Sequence, residues 1–222
     1  MLEKTGMKQS SKYLIALTGV ISSGKSICAK FIEENSYKVI YYDEINRELL
    51  KQKQIIEEIV QKLGDEIIEG SKINKKLLAK TIFSDKTKRN ILTDIMHPKI
   101  IKEAYKIIKE TDTDRPIFLE IPLLFQTLRL HESLNIRFNE IWAISSNKEN
   151  RIERLMKRDN ISKNEAILRI ESNFSDDYIK RNSDIYIIND KTIEELKKSI
   201  IYELNRLEKR YSYFVQRHKE AD

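Results

Sequence analysis

A run of small residues between positions 19 and 26 fits the spacing G-x-x-x-x-G-K-[ST], which is typical of a loop that binds nucleotide phosphates. Such a loop turns consecutive backbone N–H groups toward an anion at the start of a helix. Lys25 would reach the β- and γ-phosphates, and the Ser26 hydroxyl would ligate Mg²⁺. The pattern therefore predicts a site for ATP and Mg²⁺. The contacts are expected from Ser22, Ser23, Gly24, Lys25, Ser26 and Ile27.

The flanking sequence supplies the strand and the helix that such a loop requires. Residues 13–17 are an apolar run that predicts a buried strand, and residues 25–34 predict a helix with Ile27, Phe31 and Ile32 on its apolar side. The chain has only five glycines among its 222 residues, so chance seldom places two of them at the required spacing. The alternative, a plain strand–turn–helix with a solvated lysine, is therefore disfavoured.

Two carboxylates coincide with the ends of the next predicted strands. Asp43 follows residues 38–42, and Glu120 interrupts the apolar run at 117–121. Asp43 could orient or deprotonate an acceptor hydroxyl beside the γ-phosphate, or it could cap the following helix, and its spacing favours neither role. Glu120 needs a partner if its strand is buried, and Mg²⁺ or its water shell would supply one. The alternative for Glu120 is a strand position that faces water.

Arginines recur on one predicted helix. Arg151, Arg154 and Arg158 stand three and four residues apart, which places them on one helix face. The segment at 148–183 contains no predicted strand, and it suits a lid that closes arginines over transferring phosphates and expels water; Arg169 could join them. The alternative is a solvated helix surface, and the spacing alone does not decide between the two.

The elements that must position these groups alternate between strands and helices. Short apolar strands are predicted at 13–17, 38–42, 117–121, 140–144 and 184–188. This alternation predicts an α/β fold, with a five-stranded parallel sheet covered by helices on both faces. Ligands of such sheets bind beyond the carboxyl ends of the strands, where the phosphate loop, Asp43 and Glu120 are expected to converge.

The segment between the second and third strands is too long for a simple crossover. Residues 44–112 show helical periodicity and no strand pattern, and the dipeptide His97–Pro98 predicts the end of one helix and the start of another. We expect one domain over 13–208 after an N-terminal extension at 1–12. Its parts are a nucleotide-binding core (13–43, 113–147 and 184–217), a helical insertion (44–112) and a lid (148–183).

Composition argues against several other classes of protein. The net charge is +6, but charges of both signs are interleaved and the aromatic residues form no stacking platform, so nucleic acid is not a predicted partner. No apolar run approaches the roughly 18 residues of a membrane span. The single cysteine, Cys28, excludes an internal disulfide and is expected in the core, and a cytoplasmic location follows as the default. The sequence leaves open whether the protein is a monomer or a homo-oligomer.

Several motifs together resemble the dephospho-CoA kinase family over residues 13–208. The phosphate loop alone is generic, whereas I-x-H-P, P-L-L-F and the paired lid motifs in this order are specific. The matching stretches are L-T-G-V-I-S-S-G-K-S at 17–26, Y-Y-D-E-I-N-R-E-L at 41–49, I-M-H-P at 95–98, E-I-P-L-L-F at 120–125, R-L-M-K-R at 154–158, E-A-I-L-R-I at 165–170 and S-D-I-Y-I-I-N at 183–189.

The resemblance implies a P-loop kinase-like α/β/α fold and an ATP-dependent kinase. Its acceptor would be the ribose 3′-hydroxyl of dephospho-CoA, and its products coenzyme A and ADP. By resemblance, Asp43 is the base or orienting group, Lys25 neutralises the γ-phosphate, Arg154 and Arg158 clamp the phosphates, and Glu120 with Ser26 holds Mg²⁺. The insertion would bind the acceptor. The acceptor side is expected to include Asp43, Arg89, His97, Pro122 and Leu123.

The chain departs from the family pattern without removing a group that the mechanism requires. Tyr41 and Glu120 stand where the family has Asp, and Gln126 stands where it has Glu.

Other functions fit the residues less well. A kinase of nucleotides or of another small alcohol would use the same scaffold. A nucleotide-gated switch would need an N-K-x-D-type motif, which is absent, and dispersed charge disfavours a nucleic-acid-dependent ATPase.

Overall fold

The structure is a computed structural model that describes residues 12–219. The predicted N-terminal extension at 1–12 lies outside the described residues except for Lys12. The strands are β1 (Leu14–Gly19), β2 (Lys38–Tyr41), β3 (Ile68–Glu69), β4 (Lys72–Ile73), β5 (Ile117–Glu120), β6 (Glu140–Ser145) and β7 (Ile185–Ile188). The helices are α1 (Lys25–Glu34), α2 (Tyr42–Leu49), α3 (Lys53–Leu63), α4 (Lys75–Ser84), α5 (Lys86–Glu110), α6 (Leu124–Ser133), α7 (Lys148–Asp159), α8 (Lys163–Glu171), α9 (Asp176–Arg181) and α10 (Ile193–Lys219).

The described chain forms two compact units. The sheet unit comprises residues 12–40, 113–126 and 137–219, and the helical unit comprises residues 41–112 and 127–136. Residues 127–136, predicted within the core, group with the helices. The functional division into core, acceptor-binding insertion and lid stays a prediction. Within residues 12–219, no helix combines the length and the apolar character that crossing a membrane requires.

The sheet unit is built on the predicted five-stranded parallel sheet, in the order β2, β5, β1, β6, β7. The central strand β1 pairs in parallel with β5 and β6, so that Leu17 lies beside Glu120 on one side and Trp142 on the other. The side chains of the central strands are almost fully buried, which explains why these strands are continuous apolar runs rather than alternating ones. The α/β fold class predicted from the sequence is confirmed.

Helix α1 follows the phosphate loop, and its buried side differs from the predicted one. Cys28, Ala29 and Ile32 are buried, whereas Ile27 is 44% exposed. The prediction that Ile27 packs on the apolar side is therefore wrong. The buried face is rotated because small side chains in the first turns, at Cys28 and Ala29, let α1 approach β1 and β5 closely.

The helical unit is organised around α5, against which α2, α3 and α4 pack. The expected break at His97–Pro98 is wrong, because α5 runs through Pro98 without interruption. Proline withholds one N–H from the carbonyl of Asp94, but Asp94 is exposed and its carbonyl can bond to water. Met96 and Ile100 are buried on either side of Pro98, and this packing holds the helix together.

Two further details of the helical unit differ from the sequence-based prediction. The segment was expected to contain no strand, but β3 and β4 pair as an antiparallel hairpin. Gly70 turns this hairpin with a φ of 61°, and each strand has only two residues, too few for a detectable alternation. The helical periodicity expected over 44–112 is also interrupted early, because residues 50–52 separate α2 from α3.

Candidate active site

The phosphate loop lies between β1 and α1 and runs close against β6. A Cβ atom at Gly19 would lie 2.2 Å from the carbonyl oxygen of Ile144, so only glycine permits this approach. The next residue, Val20, donates its N–H to that same oxygen at 3.1 Å. The loop is therefore fixed to the carboxyl end of β6 by main-chain atoms, whatever side chains it carries.

Gly24 is the N-cap of α1, with a φ of 93° in the left-handed region. It has no side chain to cap the helix, and the first N–H groups of a helix have no partner within the helix. These donors and the helix dipole favour an anion at this point. Ser22 also adopts a positive φ, 61°, which a residue other than glycine rarely does. The conformation of the loop therefore leaves the N–H groups at the start of α1 available to an anion.

Lys25 and Glu120 form a buried ion pair at the carboxyl end of the sheet. Lys25 lies in the first turn of α1 and donates from Nζ to the carboxylate of Glu120, the last residue of β5. Their side chains are 13% and 3% exposed. The alternative that Glu120 faces water is therefore wrong, because the carboxylate is buried and Lys25 neutralises it. The pair holds the ammonium beside the helix start.

The four arginines of residues 148–183 considered from the sequence have different partners. Arg151 is 6% exposed and pairs with Asp176 at 3.0 Å, which ties α7 to α9. Arg158 and Arg169 both pair with Asp159, each at 2.7 Å. These three guanidinium groups are neutralised by carboxylates of the same segment.

Arg154 is bound differently, because its two hydrogen-bond partners are neutral oxygens. It donates to the carbonyl of Asn189 at 3.1 Å and to Oγ of Ser146 at 3.3 Å. Among the ion pairs of residues 12–219, none involves Arg154. Ser146 and Asn189 directly follow β6 and β7, so Arg154 reaches the carboxyl ends of these strands with its charge not directly paired.

Asp43, Arg89 and His97 belong to the helical unit. Asp43 is exposed in the first turn of α2, whose N-cap is Tyr41, so the interpretation of Asp43 as a capping residue is wrong. Arg89 donates from Nε to the carbonyl of Ile82 at 3.1 Å, near the end of α4. His97 lies within α5, where burial lowers the pKa of its imidazole although Asp94 opposes this shift.

The two remaining predicted acceptor residues follow β5 in the sheet unit. Pro122 is half-buried, and Leu123 is 39% exposed. The N–H of Ile121 still bonds to the carbonyl of Leu17 in β1, so the chain leaves the sheet only after this residue. Pro122 and Leu123 are therefore held next to the buried Glu120.

One contact of the phosphate loop was missed by the sequence-based reasoning about site residues. The side chain of Asn189 donates to the carbonyl of Ser23 at 2.7 Å and is buried. The available signal was the position of Asn189 directly after the last strand of a parallel sheet, where ligand-binding groups concentrate.

Comparison with known proteins identifies the family. A family model described as dephospho-CoA kinase matches residues 13–195. A dephospho-CoA kinase of Fusobacterium nucleatum is 32% identical over 84% of this chain and 94% of its own length. Another, of Carboxydothermus hydrogenoformans, is 31% identical over 85% of this chain and 91% of its own.

A solved structure supports the fold independently. The crystal structure of TT1252 from Thermus thermophilus has a TM-score of 0.73 and 24% identity, covering 88% of this chain and 98% of that one. At this identity the likeness concerns the fold alone. The family assignment rests on the sequence matches, which extend from β1 into α10. The chain belongs to the dephospho-CoA kinase family.

Proposed function

We propose that the protein transfers the γ-phosphoryl group of ATP to the ribose 3′-hydroxyl of dephospho-CoA, giving coenzyme A and ADP in the last step of coenzyme A synthesis. Family membership supports this activity. The observation that carries it is the uncapped start of α1, beside which Glu120 holds the ammonium of Lys25. A helix start with a fixed cation suits the charge of a transferring phosphoryl group.

In this proposal the arginine that faces the transferring phosphate is Arg154. Among the described residues its hydrogen-bond partners are Asn189 and Ser146, whereas Arg158 would first have to leave Asp159. Developing negative charge in the transition state is stabilised best by donors that need no rearrangement. Arg158, which is 59% exposed, is left with a secondary role on the lid.

Mg²⁺ is part of the proposal, with Ser26 and Glu120 as the residues that would hold it. Hydroxyl and carboxylate oxygens are the hard donors that this cation prefers, and Mg²⁺ commonly takes one or two protein ligands plus phosphate oxygens. Among residues 12–219 no group of three or more His, Cys, Asp or Glu side chains could hold a metal ion. When bound, the cation would neutralise the negative charge of the phosphates.

The acceptor side of the proposal assigns Asp43 as the group that orients or deprotonates the 3′-hydroxyl. Its carboxylate is exposed and does not cap a helix, so it is accessible to a substrate. His97 would contact the acceptor as a neutral imidazole, since burial lowers its pKa. Arg89, Pro122 and Leu123 complete the proposed acceptor contacts. We retain a cytoplasmic location within this proposal, because ATP and an acceptor molecule that carries a free thiol suit a reducing compartment.

The test is to incubate the purified protein with ATP, Mg²⁺ and dephospho-CoA and to follow coenzyme A by mass. We expect coenzyme A and ADP in equal amounts, and no comparable transfer to nucleoside monophosphates. A Lys25→Met variant in the same assay serves as the control and should give almost no product. Phosphorylation of a nucleoside monophosphate in preference to dephospho-CoA would contradict the proposed acceptor.

A further inference from the structure

Asn189 joins three parts of the sheet unit at the carboxyl ends of the strands. It directly follows β7 and is 6% exposed. Its main-chain N–H donates to the carbonyl of Ser145 at 2.7 Å, and its side-chain amide donates to the carbonyl of Ser23 at 2.7 Å. Its own carbonyl accepts from Arg154 at 3.1 Å. One residue therefore contacts the end of β6, the phosphate loop and α7.

The amide of Asn189 packs directly on the start of α1. A Cβ atom at Gly24 would lie 2.3 Å from Nδ2 of Asn189, so the glycine makes room for this side chain. The amide therefore fills the space beside the helix N-cap.

The bond to Ser23 sets the direction of a phosphate-binding donor. In a planar trans peptide the C=O and the N–H point in opposite directions. The amide of Asn189 fixes the carbonyl of Ser23 on its own side, and the N–H of Gly24 in the same peptide then points away from Asn189. That donor belongs to the anion-binding start of α1. Asn189 thus orients a loop N–H without contacting the phosphate.

The bond to Arg154 links the same residue to a cation of the lid. Arg154 is held by the carbonyl of Asn189 and the hydroxyl of Ser146, with no carboxylate as a direct partner among the ion pairs of the described chain. A displacement of Asn189 would therefore move both a loop donor and the guanidinium group.

We propose that Asn189 is a positioning residue for phosphoryl transfer, which orients the Gly24 N–H and holds Arg154 at the carboxyl edge. The inference rests on the proposed kinase function and adds a determinant of nucleotide binding to it. A purely structural Asn189 would affect folding stability and both substrates alike. A positioning Asn189 affects the nucleotide selectively.

The experiment measures KM for ATP, KM for dephospho-CoA and kcat for Asn189→Asp and Asn189→Ala. Asp keeps the size of the side chain but presents an oxygen to the Ser23 carbonyl, and Ala removes the donor without adding charge. We expect KM for ATP to rise about tenfold in both variants, as the loss of an oriented hydrogen bond to a charged ligand predicts. KM for dephospho-CoA should stay within about twofold of wild type.

Asn139 provides the matched control. Its side-chain oxygen accepts from the N–H of Leu14 at 2.8 Å, so it also bonds to the main chain beside β1, but at the opposite edge of the sheet. Asn139→Asp and Asn139→Ala should change the thermal midpoint without raising KM for ATP. A rise in KM for ATP in the Asn139 variants that matched the Asn189 variants would overturn the inference.

Other outcomes separate the inference from the proposed function. Wild-type protein that makes no coenzyme A would contradict the function, and ADP binding by calorimetry would then test Asn189 by itself. An Asn189→Ala protein that binds ADP as tightly as wild type overturns the inference. So does an active Asn189→Ala enzyme in which both KM values rise together. If Asn189→Asp fails to fold, Asn189→Ala with its two KM values decides.

Discussion

The parallel sheet has an amino edge and a carboxyl edge, formed by the two ends of its strands. Both edges hold buried charges, but the charged groups are paired differently. At the amino edge Glu140, whose side chain is 7% exposed, accepts from Tyr13 and Trp142 at 2.7 Å each. Arg210 of α10 adds a bidentate pair at 2.7 and 2.8 Å. Each oxygen of this carboxylate thus accepts two hydrogen bonds from other side chains of the protein.

A second carboxylate at the amino edge is bound in the same way. Glu208 of α10 accepts from Tyr37 and from Arg115, and the Arg115 guanidinium stacks on the Tyr37 ring with 3.9 Å to its centroid. These contacts bring α10 against the turns that precede β2 and β5. At the amino edge the buried carboxylate of Glu140 and the 47% exposed carboxylate of Glu208 are therefore each held by a tyrosine and an arginine.

The carboxyl edge is left incomplete. Lys25 and Glu120 pair there, but Ser23 Oγ is buried without a hydrogen-bond partner among the described residues, and Arg154 is held by neutral oxygens. Buried polar groups are nearly always paired, and among the described residues Arg151 Nε and Glu203 Oε2 are the other exceptions, so it is the position of Ser23 in the phosphate loop that points to a ligand. From this contrast we infer that the amino edge stabilises the sheet, and we propose that the carboxyl edge binds an anion.

The largest expected effect is a loss of stability at the amino edge. Arg210→Leu leaves Glu140 buried without its guanidinium partner, which costs about 3–5 kcal/mol of unfolding free energy. Urea unfolding measures this change, and Lys209→Leu on the exposed neighbour is the control. While the variant is folded, its kcat and KM values should match wild type. An Arg210→Leu variant that kept its stability but lost turnover would contradict the purely structural role assigned to the amino edge.

The next effect is a loss of turnover at the carboxyl edge. Arg154→Ala should lower kcat about 10²–10³-fold, as expected for a preorganised donor to the transition state. Its unfolding free energy should change by less than about 1 kcal/mol, because no buried carboxylate loses its partner.

Arg158→Ala is the matched control on the same helix. It should lower kcat less than about fivefold, because Arg158 is 59% exposed and is not held by groups at the carboxyl ends of the strands. Equal losses of kcat in the two variants would show that the partners of these arginines do not distinguish their roles.

A third test uses the pH dependence of stability to measure the contribution of Glu140 at the amino edge. Burial alone would raise the pKa of Glu140, but hydrogen bonds from Arg210, Trp142 and Tyr13 bring it below its ordinary value. A depressed pKa contributes stability that is present above the unfolded value of about 4.3 and is lost as the pH falls through the folded value. The stability difference between wild type and Glu140→Gln should therefore shrink on going from pH 6 to pH 3, by at most about 2 kcal/mol, because linkage allows about 1.4 kcal/mol for each pH unit below the unfolded pKa.

Urea unfolding at several pH values measures this difference. The same unfolding measurements on Glu120→Gln provide the comparison with a buried carboxylate at the carboxyl edge. A difference between wild type and Glu140→Gln that stayed constant with pH would contradict the role of the ionised carboxylate.

The smallest effect concerns two serines with a positive φ. Ser22 in the phosphate loop has a φ of 61°, and Ser36 before β2 has a φ of 65°. Glycine relieves strain of about 1–2 kcal/mol but loses about 0.5–1 kcal/mol through the entropy of the unfolded chain, so each Ser→Gly variant should gain up to about 1.5 kcal/mol. Only Ser22→Gly should also raise KM for ATP, because it loosens the loop. Thermal midpoints and KM values test both statements.

The sequence predicted the strands and the phosphate loop because their signals are local. The G-x-x-x-x-G-K-[ST] spacing and the apolar runs lie within a few residues of one another, and glycine was required where the structure shows close approach to Ile144. The capping box of Ser162 and Glu165 is a similarly local pattern, and both of its hydrogen bonds are present.

The contacts between distant residues could not be predicted from such patterns. The bond from Asn189 to Ser23 joins residues 166 positions apart, and that from Arg210 to Glu140 joins residues 70 apart. The continuous helix through Pro98 depends on packing by buried neighbours, which overrides the local preference of proline. For the same reason the spacing of Arg154 and Arg158 could not show that their partners differ.

The most direct test of the central claim is a single-turnover assay with ATP labelled in its γ-phosphate, Mg²⁺ and dephospho-CoA. The wild-type enzyme and the folded Arg210→Leu variant should both transfer the label to the ribose 3′-hydroxyl of dephospho-CoA, which gives labelled coenzyme A. The Arg154→Ala protein, although fully folded, should leave the label in ATP on the same time scale. Transfer at the wild-type rate by Arg154→Ala would contradict the account of the carboxyl edge.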